Sequence, residues 1–445
     1  MIENAFTSRL KRYTQVTTTM GGLMARLLGD RYLGLSLDPS QHSLDLKDTL
    51  GTLKGPLMKI AQILATVPDM LPPEYAEAFL ELQSNAPPMG WPFVRRRMQA
   101  ELGPNWQSQF LEFEKEACAA ASLGQVHKAR DHEGRLLAVK LQYPEMGAAV
   151  EADLAQLKII LKSFELYSSA LDTENLHKEI TERLWEELDY QKEAQHIEIF
   201  RNILDPLPFV RVPEVSSPLT TSRLLSMTWL TGDKILTFKE APQDLRNKIA
   251  SGLFKAWYFP LYHAGFLHGD PHLGNYSWSQ QGELNLLDFG CVRVFKASFI
   301  RGILDLYRAL QTNDEELAVQ AYMSWGFTTL DKELIHILNL WARFLYDPLL
   351  EDRIRPIEET HSGLRGRQIV GEILTQLGKK GGIKPPQEFV FMDRTAVGLG
   401  SVCMHLRAEL NWHQLFEEII QDFSETALEK HQHFFLRQEI PYKKS

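Results

Sequence analysis

The hydrophobic pattern divides the chain into a helical beginning, a strand-rich middle and a long helical end. In the beginning, apolar residues recur three and four positions apart at Leu57, Ile60, Ala61 and Leu64, which is the spacing of one helix face. The pattern predicts three helices in this part, over residues 45–66, 73–83 and 93–102.

After residue 103 the pattern changes to short runs that are typical of strands. The expected strands are 110–114, 126–130, 136–142, 209–215 and 223–228, with a small-residue loop at 119–125. Helical periodicity returns at 144–169, at 173–200 as one long helix or a helix pair, at 241–264 and from 296 to the end. This order indicates an α+β protein with a small antiparallel sheet.

Composition indicates a globular protein large enough for two or three packed units. The chain has 445 residues, of which 44% are hydrophobic and 24% are charged. The formal net charge of −9 disfavours a nucleic-acid partner, because phosphate backbones bind basic surfaces. Cys118, Cys291 and Cys403 are widely spaced, so neither a disulfide framework nor a C-x-x-C metal site is indicated.

The sequence also favours a cytoplasmic protein of bacterial type. The N-terminus lacks the pattern of a secretory signal, and no run of about 18 uncharged apolar residues occurs that could span a bilayer. Residues 8–32 carry five basic residues and one acid between apolar residues. They can lie on an anionic membrane as an amphipathic helix or pack on the body of the protein. Any contact with the inner membrane is therefore expected to be peripheral.

Two motifs between residues 266 and 290 predict phosphoryl transfer. His268, Asp270 and Asn275 form an H-x-D-x-x-x-x-N pattern, and a short apolar run after it ends in D-F-G at Asp288. Phosphoryl transfer needs a carboxylate that accepts or orients a proton, and hard oxygen ligands that hold Mg²⁺ on the nucleotide phosphates. We assign the first role to Asp270 and the second to Asp288 and Asn275. Turn chemistry can explain either motif alone, but the two in this order favour catalysis.

Two upstream segments correspond to the nucleotide-handling parts of a kinase. Lys140 ends a predicted strand, where a kinase has the lysine that grips the phosphates. The loop at residues 119–122 reads Ala-Ala-Ala-Ser where kinases have glycines. The Cβ atoms restrict φ and crowd the approach of backbone N–H groups to phosphate, so we expect altered nucleotide handling.

Acidic side chains that can pair with the strand lysine follow in residues 173–200. On a regular helix Asp189 and Glu193 are four positions apart and share a face, so either can reach inward, whereas Glu187 points elsewhere. Lys59 and Gln62 lie three apart on the first predicted helix. The pattern alone favours a solvated face for that pair.

Together these residues closely resemble the UbiB family of atypical kinases, also called aarF-domain or ABC1-type kinases, near its branch of mitochondrial coenzyme Q proteins. The resemblance covers residues 50–407, and its most specific part is the run A-A-A-S-L-G-Q-V-H at residues 119–127. The family's K-x-G-Q motif is K-I-A-Q at residues 59–62, with Ala61 in place of glycine. The packing of this helix must therefore accommodate an extra methyl group.

The resemblance implies roles that the spacing does not. It implies ATP or ADP and Mg²⁺ as cofactors, a pairing of Lys140 with Glu193, and a helical extension that lies over the active site. It implies the following nucleotide-binding residues: Ala119, Ala120, Ala121, Ser122, Lys140 and Glu193. It gives Lys140 a catalytic role beside Asp270, and it assigns to the regulatory extension Lys59, Gln62, Glu187 and Asp189.

The expected fold is a bilobed protein-kinase-like α+β fold with a small antiparallel N-lobe sheet, a helical C-lobe and an N-terminal helical extension. The expected domains are an N-terminal segment at 1–44, the extension at 45–109, an N-lobe with a helical insertion at 110–232 and a C-lobe at 233–445.

The expected function is that of an Mg-ATP-dependent atypical kinase or ATPase that supports ubiquinone or related lipid biosynthesis. Biosynthetic enzymes, lipid intermediates and an anionic membrane surface are its expected partners. The alternatives are a nucleotide-binding scaffold that organises biosynthetic enzymes and a small-molecule phosphotransferase. Protein phosphorylation in trans is disfavoured for two reasons. The catalytic motif lacks the arginine of H-R-D, and no A-P-E segment is recognisable after Gly290.

Overall fold

The computed structural model describes residues 60, 88–120, 123–165, 173–270, 272–327, 330–358, 396 and 398–437. These residues fold into two units. Unit 1 contains the described residues up to 189 together with 222–226, and unit 2 contains 190–221 and the described residues from 227 onward. Within the described residues, no helix has both the length and the apolar character needed to cross a bilayer.

The secondary structure agrees with the expected α+β class. The strands are β1 (Glu112–Ala120), β2 (Gly124–Arg130), β3 (Leu136–Gln142), β4 (Val210–Arg211), β5 (Leu224–Thr228), β6 (Asp233–Lys234), β7 (Phe266–His268), β8 (Tyr276–Trp278), β9 (Leu284–Leu286), β10 (Val292–Val294), β11 (Arg355–Pro356) and β12 (Glu409–Leu410). The helices are α1 (Trp91–Leu102), α2 (Met146–Glu165), α3 (Thr173–Glu187), α4 (Tyr190–Ile203), α5 (Gln243–Ala264), α6 (Ala297–Thr312), α7 (Glu315–Ser324), α8 (Lys332–Leu350), α9 (Trp412–Ile420) and α10 (Glu425–Leu436).

Unit 1 is organised around a sheet with the strand order β1-β2-β3-β5, of which β5 contributes its first three residues to this unit. The predicted β2–β3 hairpin is confirmed, with His127 opposite Val139. Its turn forms because Asp131 Oδ1 accepts hydrogen bonds from the backbone N–H groups of Glu133 (3.0 Å) and Arg135 (2.8 Å). Gly134 takes a φ of 82°, which side chains disfavour.

The helices α2 and α3 of unit 1 share a core with Ile60. Ile60 is the one described residue of the predicted 45–66 helix, and it is helical and buried, as the apolar stripe requires. The other buried members of this core are Val150, Leu154, Leu157, Leu161, Ile180 and Leu184. The proposed Lys59 and Gln62 lie outside the described residues.

The predicted helical segment at 173–200 is a pair of helices, and the break changes one interpretation. α3 ends at Glu187 and α4 begins at Tyr190. Between them, the N–H of Leu188 donates to Trp185 O (3.2 Å) and the N–H of Asp189 to Glu186 O (3.0 Å), which tightens the chain into three-residue turns. The expectation that Asp189 and Glu193 share a face of one regular helix is therefore wrong, because Asp189 lies in the break.

The predicted bounds of one loop and one strand also need correction. The small-residue loop is shorter than the predicted 119–125, because Ala119 and Ala120 continue β1 and pair with Val126 and Gln125. The predicted strand at 209–215 is limited to the two residues of β4, which pair in parallel with β9.

Unit 2 is mainly helical and is centred on α5. This helix buries Phe254 and Trp257, and the ring of Phe254 packs on that of Trp412 in α9 at 5.6 Å. α5 ends at Gly265, whose left-handed φ of 78° closes the helix through hydrogen bonds of its N–H to Leu261 O and Pro260 O. Because β7 begins at the next residue, the helix end fixes where the predicted catalytic stretch enters the fold.

Candidate active site

Two strand pairs of unit 2 bring the two phosphoryl-transfer motifs together. β7 pairs with β10, which sets His268 opposite Val292. β8 pairs with β9, which sets Tyr276 opposite Leu286. The H-x-D-x-x-x-x-N loop joins β7 to β8 and the D-F-G segment joins β9 to β10, so both motifs connect the same two strand pairs.

Backbone hydrogen bonds tie the two loops directly to each other. The N–H of Gly269 donates to Cys291 O at 2.7 Å, and the N–H of Leu287 donates to Asn275 O at 2.9 Å. A Cβ on Gly269 would lie 2.7 Å from Cys291 Sγ. The loops therefore approach closely at a position that has room only for glycine.

His268 joins the motifs through its side chain. It is 2% exposed, and its Nε2 lies 2.5 Å from the carbonyl oxygen of Asp288. Because a carbonyl can only accept, Nε2 carries the proton and Nδ1 is left to accept a long bond of 3.4 Å from the N–H of Asp270. One neutral imidazole thus fixes the backbone at both proposed functional aspartates.

Asp270 lies in a loop that is held by its own residues. Its Oδ1 accepts from the N–H of His272 at 3.2 Å. Its carbonyl oxygen accepts from Asn275 Nδ2 (3.3 Å) and from the hydroxyl of Tyr276 (3.2 Å). Burial raises the pKa of Tyr276 well above its usual value, so this hydroxyl stays protonated and donates. These bonds restrain the backbone of the loop at Asp270.

The oxygen donors of Asn275 and Asp288 suit a hard divalent cation. Since Asn275 Nδ2 is engaged with Asp270 O, the amide presents its oxygen as the ligand atom. Asp288 Oδ1 accepts from the N–H of Gly290 at 3.0 Å, which orients the carboxylate. Within the described residues no group of three or more His, Cys, Asp or Glu side chains could hold a metal ion. A Mg²⁺ held by this pair would complete its coordination shell with phosphate oxygens.

Helix α4 supplies the buried acid of unit 2. Glu193 lies in its first turn and is 2% exposed, whereas Asp189 is exposed and Glu187 is half-buried at the end of α3. Lys140 lies in β3 of unit 1, opposite Val126. The pairing of Lys140 with Glu193 and the regulatory roles of Glu187 and Asp189 stay predictions.

The alanine-rich run of unit 1 adjoins a buried polar network. Ala119 and Ala120 end β1, while Ala121 and Ser122 lie outside the described residues. Gln125 Oε1 accepts from the N–H of Met89 (2.6 Å), and Gln125 Nε2 donates to Met89 O (3.1 Å) and to His127 Nε2 (2.9 Å). His127 Nδ1 then donates to Glu114 O at 2.9 Å. This network fastens the segment before α1 to the hairpin that carries the run.

Sequence reasoning quoted Gln125, His127 and His268 without giving them a role, and it did not name Tyr276. The available signal was a polar residue inside an apolar strand. His268 ends the run Phe266–His268, and Gln125 and His127 alternate in β2, and each of the three is buried. Buried polar groups must find partners, so such positions predict side chains that hold backbone groups.

Comparison with known proteins gives the family. Residues 81–322, more than half of the chain, match the ABC1 atypical kinase-like domain. The atypical kinase COQ8 of Saccharomyces cerevisiae mitochondria is 27% identical over 430 residues, which cover 93% of this chain and 84% of that protein. The uncharacterized protein slr0889 of Synechocystis is 35% identical over 254 residues, which cover 54% of this chain and 62% of that protein.

A solved structure supports the fold. The Mycobacterium tuberculosis protein Rv3197, in its complex with erythromycin, aligns with a TM-score of 0.60 at 23% identity, covering 90% of this chain and 98% of that one. At this identity the likeness concerns the fold alone. The match over residues 81–322 includes the alanine-rich run, Lys140 and both phosphoryl-transfer motifs, and the chain belongs to the ABC1 atypical kinase-like family.

Proposed function

We propose that this chain is an Mg-ATP-dependent atypical kinase or ATPase. The proposal rests mainly on the hydrogen bonds between the H-x-D-x-x-x-x-N loop and the D-F-G segment of unit 2. It fixes the backbone of Asp270, Asn275 and Asp288 through His268, Gly269 and Leu287. Catalysis of phosphoryl transfer rests mainly on positioning and charge stabilisation, so a site pre-formed in this way supports the proposal.

In this mechanism the chain's own residues position the nucleophile and the phosphates. The Asp270 carboxylate accepts or orients the proton of the attacking water or hydroxyl. Asn275 Oδ1 and the Asp288 carboxylate would hold Mg²⁺, and the bound cation would neutralise the charge that develops on the phosphates. The family resemblance assigns phosphate binding to Lys140, and the Cβ atoms of the alanine-rich run would limit how closely its backbone approaches a phosphate.

The proposal extends to a role in ubiquinone or related lipid biosynthesis. The resemblance to the coenzyme Q branch of the family suggests this pathway, and COQ8 is a relative named as an atypical kinase. A peripheral contact of residues 8–32 with an anionic membrane is part of the same proposal, although these residues lie outside the described ones. Lipid intermediates or biosynthetic enzymes would then be the partners.

The test is phosphate release from Mg-ATP by the purified chain and by Asp288→Asn, each with and without anionic liposomes. We expect the wild type to turn over, Asp288→Asn to lose at least about 100-fold of the rate, and liposomes to raise the wild-type rate. Asp347→Asn is the matched control, because Asp347 in α8 carries an exposed carboxylate that pairs with Arg355 of β11.

Two outcomes would contradict parts of this proposal. If neither protein releases phosphate while a fluorescent ATP analogue still binds, the chain is a nucleotide-binding scaffold and Asp270 has no catalytic role. If liposomes leave the rate unchanged while Asp288→Asn is inactive, the ATPase stands and the membrane contact fails. Transfer to a small soluble acceptor with no lipid requirement would favour a small-molecule phosphotransferase.

A further inference from the structure

One side chain connects helix α4 to the D-F-G segment. His196 Nδ1 lies 3.0 Å from the carbonyl oxygen of Phe289, so Nδ1 carries a proton and donates. The side chain of Phe289 is fully buried. Removing the donor to a buried carbonyl destabilises the folded protein, because water cannot easily replace the hydrogen bond. The His196 bond therefore constrains the backbone within D-F-G itself.

The same helix face makes a second contact with this segment. The ring of Phe200, one helical turn after His196, packs on the ring of Phe289 with centroids 5.3 Å apart. Glu193 precedes His196 by three positions and lies on the same face. Helix α4 thus carries the buried Glu193 together with His196 and Phe200, the two side chains that contact Phe289.

The neighbouring carbonyls of the segment are held by a different element. Asp288 O accepts from His268, and Cys291 O accepts from the N–H of Gly269, both in the chain that leaves β7. Phe289 O is the one of these three carbonyls that α4 holds. A displacement of α4 would therefore act on D-F-G at its centre, directly beside Asp288.

We propose that His196 is a positioning residue that couples the position of α4 to that of Asp288. The inference rests on the proposed function in one respect, namely that Asp288 holds Mg²⁺. When α4 is in place, the His196 bond holds Phe289 O and keeps the Asp288 carboxylate turned for the cation. When the bond is lost, the segment opens locally and the apparent affinity for Mg²⁺ falls.

The experiment compares the full-length wild type with His196→Ala, His196→Asn and His405→Ala. An asparagine amide nitrogen takes about the position of Nδ1, so His196→Asn keeps the donor. His405 is the matched control, because its Nδ1 donates to Ser401 O in its own helix at 2.7 Å. If His196→Ala does not fold, His196→Gln replaces it, since its nitrogen lies one bond further out.

Two readouts separate this inference from the proposed function. The first is amide hydrogen exchange of residues 287–293, which needs no activity. We expect exchange about 10-fold faster in His196→Ala, within about 2-fold of wild type in His196→Asn, and unchanged in His405→Ala. The second is the Mg²⁺ concentration at half-maximal phosphate release, which should rise several-fold in His196→Ala and recover in His196→Asn.

Unchanged exchange in His196→Ala overturns the inference, as does His196→Asn behaving like His196→Ala. Faster exchange without any change in Mg²⁺ dependence reduces His196 to a structural residue and also overturns it. If the wild type releases no phosphate, the proposed function fails. In that event the Mg²⁺ dependence of exchange in residues 287–293 decides whether His196 couples to Asp288.

Discussion

Each unit contains a buried histidine whose two ring nitrogens are both hydrogen-bonded, and the two histidines differ in what they hold. His127 in unit 1 bonds to the side chain of Gln125 and to Glu114 O, and its ring stacks on Phe113 at 5.4 Å. His268 in unit 2 bonds to the backbone of Asp288 and Asp270. The first joins elements of one sheet, and the second joins two loops that carry the proposed chemistry.

The difference teaches how to tell a structural histidine from a positioning one. Burial and the number of bonds are alike, so neither distinguishes them. The partners do, because a bond to a strand carbonyl adds stability alone, whereas a bond to the carbonyl of a functional residue also sets where its carboxylate points. Changes at His127 should therefore affect stability, and changes at His268 should affect both stability and turnover.

The largest effect is expected for His268→Ala. It leaves a cavity among aromatic rings and removes the donor to Asp288 O, which should lower the free energy of unfolding by about 3 kcal/mol. Phosphate release by the remaining folded protein should fall at least about 100-fold. Urea unfolding and steady-state turnover measure the two effects.

His268→Gln is the matched variant, because its amide nitrogen takes about the position of Nε2. It should recover much of the lost turnover. If His268→Ala retains wild-type turnover in its folded fraction, then His268 is as purely structural as His127 and the comparison fails.

The next effect concerns the close approach of Gly269 to Cys291. In Gly269→Ala the new Cβ would lie 2.7 Å from Cys291 Sγ and 3.3 Å from Cys291 O, so the free energy of unfolding should fall by about 2 kcal/mol. Cys291→Ala removes the nearer atom, and the double variant should recover about 1 kcal/mol of that loss.

A helix glycine of unit 1 gives the contrasting control. A Cβ on Gly147 in α2 would meet Trp185 at an ordinary 3.8 Å, so Gly147→Ala should be neutral or stabilise by about 0.5 kcal/mol. Equal costs at Gly147 and Gly269 would show that glycine chemistry, and not the contact between the motif loops, explains the result.

A smaller effect is expected for Gln125→Leu in unit 1. This change leaves Met89 N–H, Met89 O and His127 Nε2 without their partner, and the free energy of unfolding should fall by about 1.5 kcal/mol. Turnover of the folded protein should stay within about 2-fold of wild type. A large loss of turnover at wild-type stability would mean that this network also positions the nucleotide site.

The smallest effect is the pH dependence of unit 1. Burial lowers the pKa of His127 below its usual value, so between that lowered pKa and the ordinary value of about 6.5 the unfolded chain binds more protons than the folded one. Stability is therefore fully present above the unfolded pKa and declines as the pH falls below it.

His127→Asn keeps a donor to Glu114 O and does not titrate. The decline in the urea midpoint between about pH 7.5 and about pH 5.5 should be smaller in this variant than in the wild type. An identical decline in both proteins would assign the acid sensitivity to other groups. Burial also lowers the pKa of His263 in α5, so His263 is the next residue to substitute.

The sequence predicted the elements whose pattern is local. The β2–β3 hairpin follows from two short strand-like runs with a turn at Glu133 and Gly134, and α5 follows from an apolar helical pattern over residues 241–264. The sequence left one helix or a helix pair open at residues 173–200 and did not place the break between α3 and α4, because residues 188–189 contain neither proline nor glycine.

For the site, the sequence predicted the chemical roles of residues but not the side chains that hold the loops in place. Asp270, Asn275 and Asp288 were assigned because their residue types match the needs of phosphoryl transfer. His268 and His196 bond to backbone carbonyls 20 and 93 positions away, and no local pattern encodes such pairs. The structure adds the side chains that hold the loops. The catalytic role of Asp270 and the metal-binding role of Asp288 remain predictions for the phosphate-release experiment.

The irregular first strand of the unit 1 sheet has a consequence for solubility. In the described sheet β1 lies at the edge, its pairing with β2 shifts register twice between Phe113 and Ala119, and it exposes Glu112, Glu114, Lys115 and Glu116. Bulges and charges of this kind stop a second chain from adding to an open strand edge. Valine at positions 114 and 116 would remove the charges, and the protein would then self-associate edge to edge during expression while its fold stayed unchanged.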